Sequence, residues 1–353
     1  MKKRCLISIF ILLFCSLFIF NNSAVAKIYI DIGSPSFKQI PVAICDFKNK
    51  TTSTDKAVDS GITVSDNIRK DLSLTGIFNI LNKKSFLEDK TFITSITAEK
   101  IFFPDWTAIG ADYLLLGNIT QNDKEIIADS FFFDVTRGEL IFNKKYHAEA
   151  DKLKEISRAI ASDIMLALVN DEGDFNTKIA FVSKKGPKSD IQIINYDGSE
   201  LKSVTNHQSI IIAPRWSPDG QRISFVSNRS GSPQIYTMDA DGNNVKRITY
   251  EGTYNTSPSW SPHGDRIAYE GLTKDKYQIF SIDADGNNPS QLTFDAANNK
   301  SPSWSPSGRQ IVYVSQKNSK SKIIIVNSNG SNPRVLYEYG TKSVMPVWSP
   351  RFK

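Results

Sequence analysis

The sequence predicts an α/β N-terminal domain followed by an all-β propeller of four 44-residue blades, closed by the C-terminal strand. Three observations carry this expectation. A Pro-x-Trp-Ser-Pro phrase returns at a fixed period, apolar residues alternate between its copies, and a mixed helix-and-strand pattern precedes them.

Residues 1–26 have the form of a secretory signal peptide. Lys2, Lys3 and Arg4 form the charged region, Leu6 to Phe20 the apolar run, and Ala24-Val25-Ala26 the small-residue cleavage site, leaving Lys27 as mature N-terminus. A run of 15 apolar residues is short for a membrane span, which needs about 20. Phe14 ahead of Cys15 is too large for a lipoprotein signal. The formal charge of +6 falls to about +3 without those three basic residues. Neither that mild charge nor any aromatic–basic interleaving points to nucleic acid. Cys45 is then the one mature cysteine, so no internal disulfide can form; in the strand Ile40–Phe47 it reads as a small buried hydrophobe.

The arm Lys27-Ile28-Tyr29-Ile30-Asp31-Ile32-Gly33 alternates like a strand but is cut off by Gly33-Ser34-Pro35. Such an arm either frays or adds to a partner's sheet edge. Residues 34–170 read as the α/β domain. Its elements are a strand at 40–47, a polar loop at Asn49–Asp59, a helix over Ile62–Leu74 stopped by Gly76, and a strand at Phe78–Leu81. A loop through Phe102-Phe103-Pro104-Asp105-Trp106 leads into a short helix. The strand Tyr113–Ile119, a hairpin of Ile126–Val135 and Leu140–Ala148 about Arg137-Gly138, and the helix Ile156–Val169 complete the domain. Residues 171–176 are a polar linker.

From residue 177 to 353 the period rules. Trp216, Trp260, Trp304 and Trp348 stand 44 residues apart. Ile179, Ile223, Ile267 and Ile311 share one phase, and Phe181, Phe225, Tyr269 and Tyr313 another. Hairpins turn on Asp239-Ala240-Asp241-Gly242-Asn243 and its copy at Asp283, residue types that tolerate positive φ. The first repeat has Glu172 where the others have Trp, and the last copy, Pro346–Pro350, is a Trp strand with no blade of its own. The two fragments are expected to complete one blade by pairing Trp348's strand with Ile179's, removing an open sheet edge.

The junction Thr177-Lys178-Ile179-Ala180-Phe181-Val182, the phrase Gly110-Ala111-Asp112-Tyr113-Leu114-Leu115-Leu116-Gly117 after Trp106, and the Trp-Ser-Pro repeats resemble the TolB family across essentially the whole mature chain. The family's propeller usually has six blades, against four repeats here, so an open arc stands beside a four-fold ring as the alternative. The resemblance implies a non-enzymatic periplasmic adaptor of the Tol–Pal system, supporting outer-membrane integrity and invagination at division. It implies TolA as partner of the arm Lys27–Gly33 and the lipoprotein Pal as partner of the propeller, with other outer-membrane proteins as further candidates. The Pal-facing loops fall on Asn255, Thr256 and Ser257, from the pattern Asn-Thr-x-Pro-x-Trp, and on Asn299, Lys300 and Ser301, which depart from it at Lys300. As loop residues they would supply hydrogen bonds to the partner.

Propellers also accompany peptidase-like hydrolases and sugar-binding proteins, the alternative reading. A Gly-x-Ser-x-Gly elbow is missing from the sequence, and His147, His207 and His263 are scattered, which suggests no catalytic set, no zinc spacing and no cofactor. A calcium loop starting at Asp239 or Asp283 would need Glu at its twelfth position, where Tyr250 and Phe294 stand, so these read as hairpin turns.

Overall fold

The computed structural model describes residues 38–50, 55–86, 96–206, 209–340 and 344–351, so the signal segment, the arm Lys27–Gly33 and His207 lie outside the described residues. The chain divides into two compact units, Met1–Phe175 and Asn176–Lys353. No described helix is long and apolar enough to cross a membrane.

In the first unit, β1 (Ile40–Ile44) pairs in parallel with β3 (Phe78–Ile80) and with β4 (Tyr113–Gln121), and the short β2 (Lys48–Asn49) also joins β4. β4, β5 (Glu125–Asp134) and β6 (Glu139–Glu149) continue antiparallel. Alternation along β4 separates two cores. Leu114 and Leu116 enter a cluster with Ala43, Trp106 and Phe133, supplied in part by α2 (Phe103–Ala108) with Pro104 in its first turn. Leu115 is buried too, but by alternation points to the other face. There α1 (Asp55–Leu74), which packs on β4 and β3, buries Val64, Ile68 and Leu72. α3 (Leu153–Val169) packs beside α1 and buries Ile156, Ile160 and Ile164.

The polar stretch expected as a loop to Asp59 is corrected: α1 begins at Asp55 and runs through Ser60-Gly61. Gly61 is there because the helix presses on β1's continuation; a Cβ would lie 2.1 Å from the Phe47 carbonyl oxygen. Ser65 Oγ accepts from the Phe47 amide at 2.9 Å, fixing that approach. Cys45 is half-buried against the Trp106 cluster, as a small hydrophobe would be. The expected linker is not wholly polar in character, since Phe175 is buried.

Among the described residues, the second unit is a series of four sheets. The first holds β7 (Lys178–Lys185), β8 (Lys188–Asn195) and β9 (Lys202–Ser203). The next has the order β10 (Ile211–Trp216), β11 (Arg222–Ser227), β12 (Gln234–Asp239), β13 (Lys246–Arg247). The third repeats it with β14 (Asn255–Trp260), β15 (Arg266–Thr273), β16 (Lys276–Asp283), β17 (Ser290–Gln291). The fourth does so with β18 (Asn298–Trp304), β19 (Gln310–Lys317), β20 (Lys320–Asn327), β21 (Arg334–Tyr339). Each Trp strand leads its sheet, and in each the Trp faces the same Ile: Trp216 opposite Ile223, Trp260 opposite Ile267, Trp304 opposite Ile311.

Among the described residues, three core clusters of this unit join one sheet to the next. Ile191, Ile193 and Val204 of the first sheet meet Ile211, Ile223 and Phe225 of the second. Val226, Ile235 and Ile248 meet Trp260, Ile267 and Tyr269 of the third. Ala268, Ile279 and Leu292 meet Trp304, Ile311 and Tyr313 of the fourth. The hairpin turns lock into the preceding sheet: a Cβ on Gly242 (φ 95) would lie 2.2 Å from the Val204 carbonyl oxygen. Lys246 Nζ donates to the Asp285 carbonyl of the next turn at 2.6 Å.

The expected closure by the C-terminal strand is corrected. Residues 344–351 form no strand, and among the described residues β7 pairs with β8 alone. The Trp348 amide instead donates to Ser303 Oγ on β18, 3.1 Å away. Trp348 thus stands one step beyond β18, as Trp260, whose Nε1 donates to the Arg215 carbonyl at 3.1 Å, stands one step beyond β10. Adjacency to the preceding Trp strand has prevailed over edge pairing.

Candidate functional site: the rim before the Trp strands

The segments Asn255–Ser257 and Asn299–Ser301 open β14 and β18 at corresponding points. Each of these strands carries a β-bulge before its Trp, between Thr256 and Ser259 and between Lys300 and Ser303, as does β10 between Ile212 and Arg215. The residue inside the bulge has positive φ each time: Ala213 at 53°, Ser257 at 54° and Ser301 at 53°. Each is followed by proline, and none is glycine, so the backbone is strained at the same phase in three sheets.

The two asparagines are not free to meet a partner. Both are buried and hold their own loops. Asn255 Nδ2 donates to Gln234 Oε1 at 2.9 Å and to the Glu251 carbonyl at 2.7 Å. Asn299 Nδ2 donates to Gln278 Oε1 at 3.1 Å and to Asp295 Oδ1 at 2.9 Å, while its Oδ1 is buried without a hydrogen-bond partner. The same glutamines accept from Thr249 and Thr293, each at 2.7 Å. Those hydroxyls in turn accept the Ile235 and Ile279 amides, each at 2.9 Å. Gln278 Nε2 donates to the Asp295 and Ala297 carbonyls at 3.0 Å. A Gln–Thr–Asn latch therefore ties the outer part of one sheet to the start of the next sheet's Trp strand. The sequence reading missed Gln234, Gln278, Thr249 and Thr293; their signal is a 44-residue recurrence weaker than that of the four Trp, with Gln at two copies of its phase and Thr at three.

What the rim offers outward is different. Ser257, Lys300 and Ser301 are half-buried, and Thr256 is buried. The Lys300 ammonium lies 4.2 Å from the Tyr277 ring centroid, and Tyr254 meets that ring edge-on at 5.7 Å. Glu270 Oε2 accepts the Ser301 amide at 2.9 Å. Burial first, then Tyr254 and Glu270, pushes the Tyr277 hydroxyl above its ordinary pKa, so it stays protonated and able to donate. Nearby, the Arg247 guanidinium stacks 4.9 Å from the ring of the exposed Tyr250. The arrangement is a polar and aromatic rim set by rigid strands, suited to holding a surface.

The aspartates of the hairpin turns are engaged within the turns. Asp241 Oδ1 accepts the Asn243 amide at 2.9 Å and Asp239 Oδ2 accepts from Asn244 at 2.6 Å, and Asp285 and Asp283 repeat both bonds. Among the described residues, no group of three or more His, Cys, Asp or Glu side chains could hold a metal ion.

An α/β unit followed by successive antiparallel sheets, three of which begin on a buried or half-buried Trp strand, defines a protein with an N-terminal α/β domain and a β-propeller. A model of the TolB amino-terminal domain matches residues 28–141, and a model of the TolB β-propeller domain matches residues 173–352. The chain belongs to the TolB family. It is 32% identical over 211 residues to the Tol-Pal system protein TolB of Syntrophus aciditrophicus, covering 59% of this chain and 46% of that one. It is 30% identical over 193 residues to the protein of that name from Desulfosudis oleivorans, covering 55% and 44%. The chain thus spans about half the length of the curated relatives it matches. The crystal structure of TolB from Acinetobacter baumannii shares the fold, with a TM-score of 0.58 at 21% identity over 85% of this chain and 83% of that one.

Proposed function

We propose that the chain is a non-enzymatic periplasmic adaptor of the Tol–Pal system. Its propeller rim binds the lipoprotein Pal through Asn255–Ser257 and Asn299–Ser301, and its arm Lys27–Gly33 engages TolA. In this role it supports outer-membrane integrity and invagination at division. The single observation that carries the reading is the match of both halves of the chain, in order, to TolB domain models, with relatives named for that system. The rim contributes through Lys300, Ser301, Ser257 and the Tyr254–Tyr277 pair, while Asn255 and Asn299 act by holding the loops in shape. The test is capture from envelope extract. The full chain retains Pal and TolA, removal of Lys27–Gly33 loses TolA and keeps Pal, and Lys300→Glu weakens Pal capture without changing the melting temperature. Capture of neither partner by the full chain refutes the proposal.

A further inference from the structure

The hairpins of the second unit sort charge between the two ends of the sheets. One end holds the turns built on Asp239, Asp241, Asp283 and Asp285. The other, where the Trp strands begin, holds the tips of β7–β8, β15–β16 and β19–β20, and these are basic. Lys185 stands directly opposite Lys188 across one tip, and Lys317 opposite Lys320 across another. Facing like charges weaken a hairpin. Lys320 is relieved by Glu338, 3.7 Å away. Lys184, Lys185, Lys274 and Lys317 are exposed and have no carboxylate partner among the described residues. The sheets mate by one repeated contact, so their tips stand at a common end, where Lys300 of β18 reaches the Tyr277 ring of β16.

The same end carries exposed rings. Tyr250 and Phe294 follow β13 and β17 in the same phase, just past the threonines that bond Gln234 and Gln278. They are 66% and 78% exposed. We propose that this end of the second unit lies against an anionic phospholipid surface, with the tip ammoniums at the headgroup phosphates and the Tyr250 and Phe294 rings at headgroup level. The cations are lysines, compact point charges that suit a diffuse layer of phosphates better than the planar fork of arginine does. They are spread over separate tips instead of converging on one groove, as they would for the carboxylates of a single protein partner. Exposed aromatic rings beside them have the composition of a membrane–water interface. The aspartates at the far end orient the unit, because an anionic surface repels them while it attracts the tips. The contact is peripheral, an attachment to the surface without insertion across it.

The test is flotation of the secreted, processed chain with vesicles of pure lipid, which hold no protein, so its outcome is separate from capture of Pal or TolA. Vesicles containing phosphatidylglycerol should carry the chain upward at about 0.1 M salt and release most of it at about 1 M, where charges are screened within a few ångströms. Vesicles of phosphatidylcholine should carry little at either salt. Each lysine lost from the tips should weaken binding about fivefold, so Lys185→Glu/Lys317→Glu should weaken it at least about tenfold with an unchanged melting temperature. Phe294→Ser should weaken it at both salts. Lys178→Glu, the same charge change at the opposite end of β7, should leave it unaltered. Equal binding to both kinds of vesicle overturns the proposal, as does an equal loss in Lys178→Glu and the tip variant. So does binding to soluble polyglutamate without binding to vesicles, which assigns the basic end to an acidic protein.

Discussion

Thr293 shows what one hydroxyl does in this fold. It donates to Gln278, accepts from the Ile279 amide, and so secures the loop that Asn299 begins to straighten. Thr293→Val keeps the shape but leaves a buried amide and a buried carboxamide oxygen short of a partner. Such a loss costs about 1–3 kcal/mol, so the urea midpoint should fall with the slope unchanged. Residue chemistry was only half legible in advance. Asn255 and Asn299 stand out by their place before Pro-x-Trp, which suggests a partner's hydrogen bonds, yet burial is a property of the neighbours and Gln234 and Gln278 lie 21 residues upstream. Tyr277 over Lys300 could not be read either, because those two meet only when two sheets stack.

At the scale of the element, the bulges of β10, β14 and β18 matter most. A strictly alternating reading of Asn-Thr-Ser-Pro-Ser-Trp passes straight through them, since neither Gly nor Asn marks the residue with positive φ. The extra residue turns the strand's first half toward the rim and its second half toward the sheet-to-sheet core. A β-branched side chain at that φ meets the following carbonyl. Ser301→Val should therefore destabilise by about 1–2 kcal/mol, while Ser301→Gly is neutral or slightly stabilising, as read by thermal melting. α1 illustrates a different limit. Its first turns are polar and include Ser60-Gly61, signals for a loop, but the close approach of Phe47 selects glycine inside a helix. The hairpin of β5 and β6 was plain, because Arg137-Gly138 and alternation are local signals.

On the scale of the whole molecule, the repeat was legible because a sheet is a local unit: Trp, Ile and the Asp-Gly turn recur whenever the chain makes another one. How the ends meet was not, because pairing between β7 and residues 344–351 is decided by the placing of sheets far apart in sequence. The inner sheets are mated on both faces and the outer ones on one. Hydrogen exchange should accordingly be slowest in β15 and β16 and faster in β7, β8 and β20, with equal rates throughout counting against sheet-by-sheet stacking. The clusters that join neighbouring sheets carry a last consequence. Each sheet offers the same pair of mating surfaces, so excising or duplicating one 44-residue module between Trp216 and Trp304 brings together surfaces that already fit. Length in this architecture is adjustable in whole modules, much as a column of identical drums can be made taller or shorter without recutting any of them.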